Sequence, residues 1–354
     1  MPSKLLTKII LECCSLPFVD KVFKPLTGSL GGILMLHRVQ PANADDGKSS
    51  AFAPNSGLTI TPNFLEALII SLKNKGYDFV DLDEATRRIK EGDTQKFVSF
   101  TLDDGYKDNA VYAAPIFEKH SVPYTIYVAP GLVDGRATLW WEDLEFIIKD
   151  NSSIEFTHQN KAFSFNCNTI NEKTQAYKEC LDFLSKSVSE QEQRKIMAAL
   201  CKQYKFDAKT HVKNAIMTWT EIKQLCKTGL CTIGAHTIHH YAVARLSDDE
   251  CELELSASRN EIEKKLAKKP AHFAYPYGFP AAANVRDFEI ANKLGFTSAV
   301  TTRHGVCLKA HKTHLSALPR ISINGDFQKT RYIHAMLSGA TTLINNKGKR
   351  INVG

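Results

Sequence analysis

The chain alternates short apolar runs with longer amphipathic segments, which predicts strands and helices in turn. Runs typical of buried strands lie at residues 31–39, 79–80, 97–105, 124–130, 231–236, 271–278 and 296–300. Apolar residues at helical spacing predict helices at 61–76, 83–89, 107–119, 218–228, 247–268 and 284–294. Regular alternation of strand and helix is the signature of a parallel sheet. We therefore predict an α/β fold, a distorted (β/α) barrel of about seven parallel strands with a helical insertion.

The alternation breaks in one long stretch, which has a polar, helix-leaning sequence between about residues 145 and 215. We interpret it as an insertion that covers one side of the barrel mouth. The limits of the other parts of the chain follow from the same pattern. We expect an N-terminal helical extension at 1–29, the barrel at 30–325, and a C-terminal helix with a basic tail at 326–354.

Composition narrows the class of protein. The 354 residues carry a formal charge of +7, an excess too mild and too dispersed to indicate a nucleic-acid partner. The nine cysteines contain no CxxC pair, so we expect reduced thiols. Glu12 interrupts the apolar N-terminal run, and no run reaches the length of a membrane span, so we expect a cytoplasmic enzyme. An alternative for residues 5–16 is an amphipathic helix that makes peripheral contact with a membrane.

The first candidate site residues are two adjacent carboxylates, Asp103 and Asp104, at the end of a predicted buried strand. Burying even one unpaired anion costs several kcal/mol, and a bound cation would remove that cost. One carboxylate would then bind the cation while the other stays available as a base. A pair of N-capping residues for the following helix is the structural alternative.

The second candidate element is a group of three histidines, His236, His239 and His240. On a helical turn, positions four apart share a face, so His236 and His240 could direct their rings at one ion, with His239 as a competitor. Two imidazoles and a carboxylate form an open three-ligand site, which suits Zn²⁺, with Co²⁺, Ni²⁺ or Fe²⁺ as substitutes. A purely structural metal site is less consistent with this set, because its coordination would be incomplete.

Aromatic residues mark the third element. The predicted strand at 271–278 stops at Pro276, which exposes the backbone after it, and a free N–H there could stabilise an oxyanion. We predict that Trp140, Trp141 and Tyr275 contact sugar rings, although a buried tryptophan pair would produce the same pattern.

These residues together resemble the polysaccharide deacetylases, metal-dependent carbohydrate esterases with a NodB-homology domain. FTLDDG at 100–105 is similar to the first motif of that family, and HTIHH at 236–240 to its second, H-[S/T]-x-x-H. A third motif ending in Pro-Tyr-Gly at 276–278 agrees. The resemblance implies that Asp103 is the general base, that Asp104, His236 and His240 bind the metal, and that the Tyr277 N–H is the oxyanion donor.

The chain departs from the family pattern in two places. No late Leu-x-His motif supplies the catalytic acid, since His311 and His314 lie in a polar loop. His37, after Leu36, resembles the circularly permuted arrangement of the poly-N-acetylglucosamine deacetylases, so we expect His37 to be the acid. The arginine that normally opens the third motif is absent before Phe273, and Arg320 is our candidate to replace it. A surface ion pair is the alternative for Arg320.

The resemblance implies hydrolysis of the N-acetyl group of an N-acetylhexosamine in a polysaccharide, oligosaccharide or lipid-linked glycan. The N-acetylated glycan is thus the expected partner. Two alternatives stay open. One is hydrolysis of another small amide, such as a cyclic ureide, on the same fold, and the other is a glycan-binding relative without turnover.

Overall fold

The computed structural model describes residues 4–16, 18–19, 23, 27–42 and 52–353. Seven parallel strands form a closed barrel. In order around the barrel they are β1 (Ser29–Leu36), β13 (Leu318–Ser322), β11 (Ser298–His304), β10 (His272–Ala274), β9 (Cys231–Ala235), β6 (Tyr124–Val128) and β5 (Phe97–Leu102). The pairing of β1 with β5 closes the ring. The predicted distorted (β/α) barrel of about seven parallel strands is confirmed.

Barrel closure depends on a close approach of two backbones. Gly31 of β1 pairs with Phe97 of β5, and a Cβ atom at Gly31 would lie 2.1 Å from the Phe97 carbonyl oxygen. Only glycine fits that position. At the other end of the pair, Leu36 faces Leu102, so the residues that follow both strands emerge side by side.

In the described part of the chain, six further strands lie outside the ring. They are β2 (Arg38–Val39), β3 (Thr59–Ile60), β4 (Asp78–Phe79), β7 (Ser153–His158), β8 (Lys161–Asn166) and β12 (Cys307–Leu308). β4 extends the sheet beyond β5, β12 pairs antiparallel with β1, and β2 pairs with β3.

Helices connect most consecutive strands of the ring, and others flank it. Before the insertion these are α1 (Lys4–Cys14), α2 (Pro62–Asn74), α3 (Leu82–Glu91), α4 (Ala114–Lys119) and α5 (Pro130–Val133). After it come α10 (Trp219–Cys226), α11 (Asp248–Leu266), α12 (Val285–Lys293), α13 (Thr330–Leu337) and α14 (Ala340–Asn345). A π-helical turn, Asn109–Ala113, precedes α4, and short 3₁₀ turns are found at Ser56–Leu58, Val243–Arg245, Lys309–Thr313, Leu315–Ala317 and Gly325–Phe327.

Local sequence signals explain where these helices begin. The Thr61 hydroxyl accepts a hydrogen bond from the Phe64 N–H at the start of α2. Ser247 and Glu250 form the capping box expected for α11, which runs close to its predicted limits.

The stretch at 145–215 packs on the barrel as a helical layer. The layer is formed by α6 (Trp140–Asp150), which begins before residue 145, α7 (Ile170–Lys186), α8 (Glu190–Gln203) and α9 (Ala208–Ala215), together with the β7–β8 hairpin, which the sequence pattern did not predict. Ile148, Leu184 and Leu200 are buried in a hydrophobic cluster that also includes Tyr106 and Leu132 from outside the stretch. The layer therefore shares its core with the neighbouring parts of the barrel, although most of its surface is polar.

Strand alternation sorts side chains between the barrel interior and the helix layer. Val98, Phe100 and Leu102 of β5 pack in the apolar layer that also holds residues of α2 and α4. Thr101 and Asp103 fall on the opposite face, where the Thr101 hydroxyl donates to the Leu34 carbonyl at 2.8 Å. The same alternation thus makes β5 amphipathic and directs Asp103 inward at the top of the strand.

All nine cysteines are free thiols in the structure. Among the residues that the structure describes, no helix has both the length and the apolar character needed to cross a bilayer.

Candidate active site

The residues predicted to carry chemistry meet at one end of the barrel. Asp103 and Asp104 follow β5, His37 follows β1, His236 follows β9, and Tyr277 lies three residues beyond β10. Because all these strands are parallel, their carboxyl ends form one edge, and this edge is where barrel enzymes carry their sites.

Asp104, His236 and His240 form a buried cluster. The Asp104 Oδ1 atom lies 3.4 Å from His236 Nε2 and 3.1 Å from His240 Nε2. One ligand atom from each residue lies within 4.8 Å of the others, and this is the one such group of three found among the described residues.

The cluster fits a divalent ion. Zinc binds nitrogen and carboxylate oxygen at about 2.0–2.2 Å, which places neighbouring ligand atoms of a tetrahedral site about 3.3 Å apart, as here. The buried Asp104 Oδ1 atom has no hydrogen-bond partner, a costly state that a cation would relieve. His236 Nδ1 bonds the Ala274 carbonyl at 2.7 Å, which orients the Nε2 lone pair towards the cluster. Burial lowers the pKa of His240, which favours the neutral ring that a metal requires.

Strained backbone surrounds this cluster. Asp104, Thr237, His240 and Tyr277 have φ between 57° and 73°, in the left-handed region, and they are four of the ten such non-glycine residues in the described chain. Each residue of this kind costs on the order of 1–3 kcal/mol, and such residues gather at functional sites. The HTIHH segment is therefore an irregular loop and not the helical turn we expected. Its left-handed backbone at Thr237 and His240 lets the rings of His236 and His240 point to the same place.

His239 is directed elsewhere. Its Nδ1 atom lies 2.6 Å from Glu254 Oε1, while Glu254 Oε2 accepts the N–H groups of Ile238 and His239. On the other side, Arg194 Nη2 donates to the carbonyl oxygens of His239 and His240. Glu254 from α11 and Arg194 from α8 therefore fix the loop that presents the cluster.

Arg320 binds Asp103 in a planar, two-point contact. Arg320 Nη1 and Nη2 each donate to one oxygen of Asp103 at 2.7 Å, and Nε donates to the Thr301 carbonyl at 2.9 Å. Both side chains are buried. Burial opposes ionisation of Asp103, but the Arg320 charge outweighs it and lowers the pKa of the carboxyl. The surface ion pair that we considered for Arg320 is wrong.

His37 lies beside the same carboxylate. Its Nε2 atom is 3.9 Å from Asp103 Oδ2, and its side chain keeps 19% of its surface exposed. The Asn109 amide donates to the His37 carbonyl at 2.8 Å, and Asp103 N–H donates to the Leu36 carbonyl at 3.0 Å. Asn109 opens the π-helical turn, a feature found often at functional sites.

Two of the other histidines form hydrogen bonds away from Asp103. His304 Nε2 bonds the Thr341 hydroxyl at 2.8 Å, and His311 Nδ1 accepts the Leu308 N–H at 3.0 Å.

The backbone N–H of Tyr277 has no acceptor among the described residues. Its aromatic ring packs 4.9 Å from the His240 ring, centroid to centroid, so the donor belongs to the same edge as the cluster. The Tyr277 hydroxyl accepts the Trp140 indole N–H at 2.7 Å.

Two of the three predicted sugar-contacting residues need correction. Tyr275 has no exposed surface, packs between Phe273 and Phe288, and donates its hydroxyl to the Ser316 carbonyl. Trp140 is 1% exposed and hidden behind Tyr277. Aromatic character alone did not distinguish core from groove. Trp141 stays a candidate, because its ring lies 4.8 Å from that of His240.

A buried polar network lies beside His37, and the sequence pattern did not predict it. Arg38 Nε donates to Asp108 at 2.8 Å, and Arg38 Nη1 lies 3.3 Å from Glu142. Glu142 also accepts the Tyr106 hydroxyl at 3.0 Å and lies 3.3 Å from His211 Nε2. The network joins the end of β1 to the α6–α9 layer. The cluster of charges in DDGYKD and WWED was its only trace in the sequence.

His211 is expected to make stability depend on pH. Burial opposes its charge, but hydrogen bonds to Asp143 and Glu142 outweigh burial and raise the pKa of His211 to about 9. Because the folded value exceeds the unfolded value of about 6.5, the stabilisation is complete below pH 6.5 and disappears as pH rises through 9. In thermal unfolding, His211→Asn should lose on the order of 3 kcal/mol relative to the wild type at pH 6 and little above pH 10.

The control for this prediction is His304→Asn. Burial lowers the pKa of His304 to about 4, so its effect should be constant above pH 6.5. A difference between wild type and His211→Asn that stays constant from pH 6 to pH 10 would contradict the assigned charge state.

The described residues also line a cavity of about 520 Å³ next to the loop at 236–240. Its walls include Arg136, Arg194, His239 and Tyr241 but none of the clustered site residues. We therefore do not assign it to the chemistry at Asp103 and Asp104.

Fold and site together define a class of protein, namely a barrel hydrolase whose buried two-histidine, one-carboxylate cluster sits beside an arginine-held carboxylate. Residues 192–299 match the family model described as polysaccharide deacetylase. This match confirms the predicted family and enzyme class for the part of the chain that it covers.

Solved structures share this fold. The Streptococcus pyogenes deacetylase PplD in complex with acetate is 18% identical, with a TM-score of 0.56 over 86% of this chain and 97% of that one. IcaB from Ammonifex degensii is 18% identical, with a TM-score of 0.55 over 87% and 98%. A de-N-acetylase from Aggregatibacter actinomycetemcomitans is 15% identical, with a TM-score of 0.54 over 86% and 99%. No curated protein gives a significant sequence match.

Proposed function

We propose that the protein hydrolyses the N-acetyl group of an N-acetylhexosamine, such as N-acetylglucosamine, within a glycan and depends on a divalent metal ion. The observation that carries this proposal is the convergence of a three-ligand cluster with a separately held carboxylate at the barrel edge. A deacetylase needs both features. The three-ligand cluster would hold a metal ion that polarises the acetyl carbonyl, and the separate carboxylate would accept a proton from water.

Asp104, His236 and His240 would hold the ion. When bound, a divalent ion acts as a Lewis acid on a carbonyl oxygen and lowers the pKa of water towards 7. Among the candidates we propose Zn²⁺ first, because its preference for imidazole and carboxylate matches the cluster, with Co²⁺, Ni²⁺ and Fe²⁺ as substitutes.

Asp103 is the proposed general base. Water adds to the acetyl carbonyl carbon, and an oxygen of Asp103 accepts the proton that the water loses. Arg320 holds both oxygens of Asp103 at 2.7 Å, so the base keeps one orientation while each oxygen retains a free lone pair. Arg320 is thus a positioning residue.

Tyr277 and His37 would complete the reaction. The Tyr277 N–H donates a hydrogen bond to the carbonyl oxygen as negative charge develops there. His37 donates a proton to the amide nitrogen as the carbon–nitrogen bond breaks, which releases acetate and a free amine. Without that proton the leaving group would be an amide anion, which is a very poor leaving group.

The remaining expectations stand as proposals of the same kind. Nine free thiols are consistent with a reducing compartment, which supports the proposed cytoplasmic location. We retain the limits 1–29, 30–325 and 326–354, with the insertion at about 145–215.

The test is incubation of the purified, metal-supplied protein with N-acetylated chito-oligosaccharides. We expect acetate in the medium and products lighter by one acetyl unit, C₂H₂O, by mass spectrometry. Asp104→Ala is the inactive control. Hydrolysis of a cyclic ureide or another small amide, without acetate release from the oligosaccharide, would favour the other hydrolase. Metal-supplied protein that binds the oligosaccharide without turnover would favour the inactive relative.

His37→Ala should lower kcat by about 10²–10⁴-fold and leave KM near the wild-type value, because the acid acts after the substrate is bound. Steady-state kinetics on the same oligosaccharide measure the split. His314→Ala is the matched control and should behave like the wild type. Wild-type kcat in His37→Ala would remove His37 from the role of acid.

A further inference from the structure

Exposed apolar side chains are concentrated in the N-terminal segment. Of the twelve large apolar side chains that are exposed in the described chain, five lie within residues 5–18, namely Leu5, Leu6, Ile9, Leu16 and Phe18. Their exposed fractions range from 47% to 69%. Single exposed apolar residues are ordinary, but a contiguous group indicates an interaction surface.

The helix α1 presents apolar residues on both faces. On the inward face, Leu11 and Cys14 are buried, and Cys14 packs with residues of α13 and α14. On the outward face, Leu5 and Ile9 lie one turn apart and are 69% and 51% exposed. A helix on a protein surface normally turns polar residues outward, so α1 has the pattern of a helix covered from both sides.

Exposed lysines lie on α1 and just after the helix that packs against it. Lys8 is exposed on α1, and Lys347 and Lys349 are exposed just after α14, which packs against α1. The acidic residue of α1, Glu12, is already paired with Lys329 and Arg331 of the same chain. An apolar face with cations at its border is complementary to a layer of anionic lipid headgroups over acyl chains.

We propose that Leu5, Ile9, Leu16 and Phe18, here called the N-terminal apolar surface, dock onto an anionic membrane. A second copy of the chain is a less suitable occupant. A two-fold interface brings the same patch of both copies together, so Lys8 and its neighbours would face like charges.

The contacts of α1 locate its first turn relative to the barrel. Lys4 pairs with Asp326 at 2.8 Å, and Asp326 lies in the segment that follows the carboxyl end of β13. The first turn of α1 therefore lies at the end of the barrel where the strands lead to Asp103 and His37.

The experiment is co-sedimentation of the full chain with vesicles. We expect binding to vesicles of equal parts phosphatidylcholine and phosphatidylglycerol, and at least about tenfold weaker binding to phosphatidylcholine alone. The double variant Leu5→Glu/Ile9→Glu should bind the anionic vesicles at least about tenfold more weakly than the wild type. Lys8→Glu should weaken binding severalfold. This exposed single change tests the proposal independently, in the event that the double variant disturbs the folding of α1.

A matched control is Leu253→Glu/Val111→Glu, which changes side chains that are 65% and 54% exposed elsewhere. It should bind vesicles like the wild type. Wild-type protein that stays in the supernatant, or a double variant that binds unchanged, would overturn the proposal. So would a dimer in sedimentation velocity that the double variant dissociates. Acetate release from soluble oligosaccharide should be equal in both double variants, so loss of docking is distinguishable from loss of activity.

Discussion

Asp103→Asn should lower kcat by about 10²–10⁴-fold while the protein still binds metal. The amide keeps the size of the side chain but cannot accept a proton from water. The carboxylate lies outside the Asp104, His236 and His240 cluster, and Arg320 holds both its oxygens. Kinetics on N-acetylated chito-oligosaccharides, together with metal analysis of the same preparation, check both halves of the expectation.

Stability must be measured with the rate. Removing one partner of a buried ion pair costs about 3–5 kcal/mol, because the Arg320 charge would be left buried without its counter-charge. Thermal unfolding of Asp103→Asn is therefore compared with that of Arg320→Gln, which breaks the same pair from the other side. We expect Arg320→Gln to retain more activity than Asp103→Asn, since it disturbs the position of the base without removing it. Substantial turnover by folded, metal-loaded Asp103→Asn would show that another group is the base.

Removing the metal should abolish turnover. We expect at least about a 10³-fold loss after treatment with a chelator, because the ion supplies several kcal/mol of transition-state stabilisation. Zn²⁺ or Co²⁺ should restore activity. Metal should also raise the melting temperature, since at a free concentration of about 1,000 times Kd a ligand that binds only the folded state stabilises it by about 4 kcal/mol.

Two histidine variants test whether the metal binds at the Asp104, His236 and His240 cluster. His240→Ala should weaken metal binding by more than about 100-fold, because it removes one of three ligands. His239→Ala should bind metal like the wild type, since His239 is bonded to Glu254 and faces away from the cluster. Isothermal titration with Zn²⁺ compares them. Unchanged turnover after complete metal removal, or equal Zn²⁺ affinity in both variants, would contradict the assigned cluster.

The candidate site was predictable to the extent that it depends on short-range order. The sequence predicts Asp103 and Asp104 at the end of a buried strand, and His236 and His240 four residues apart at the end of another, so strand pattern and spacing identified both pairs. The sequence pattern did not reveal that a strained loop, braced by Glu254 and Arg194, directs the histidines. The Arg38, Glu142 and His211 network was also missed, because its members come from three separate segments.

Periodicity and capping act over a few residues, so the chain's local pattern was enough to predict the succession of strands and helices and the chemistry of the residues at the strand ends. Which of those residues meet depends on the folded structure. Arg320 reaches Asp103 across 217 positions, and His37 lies beside it only because β1 pairs with β5 to close the barrel. Burial of Tyr275 and Trp140 was decided in the same way. Exposure depends on what the rest of the chain packs against a side chain, and no local pattern contains that information.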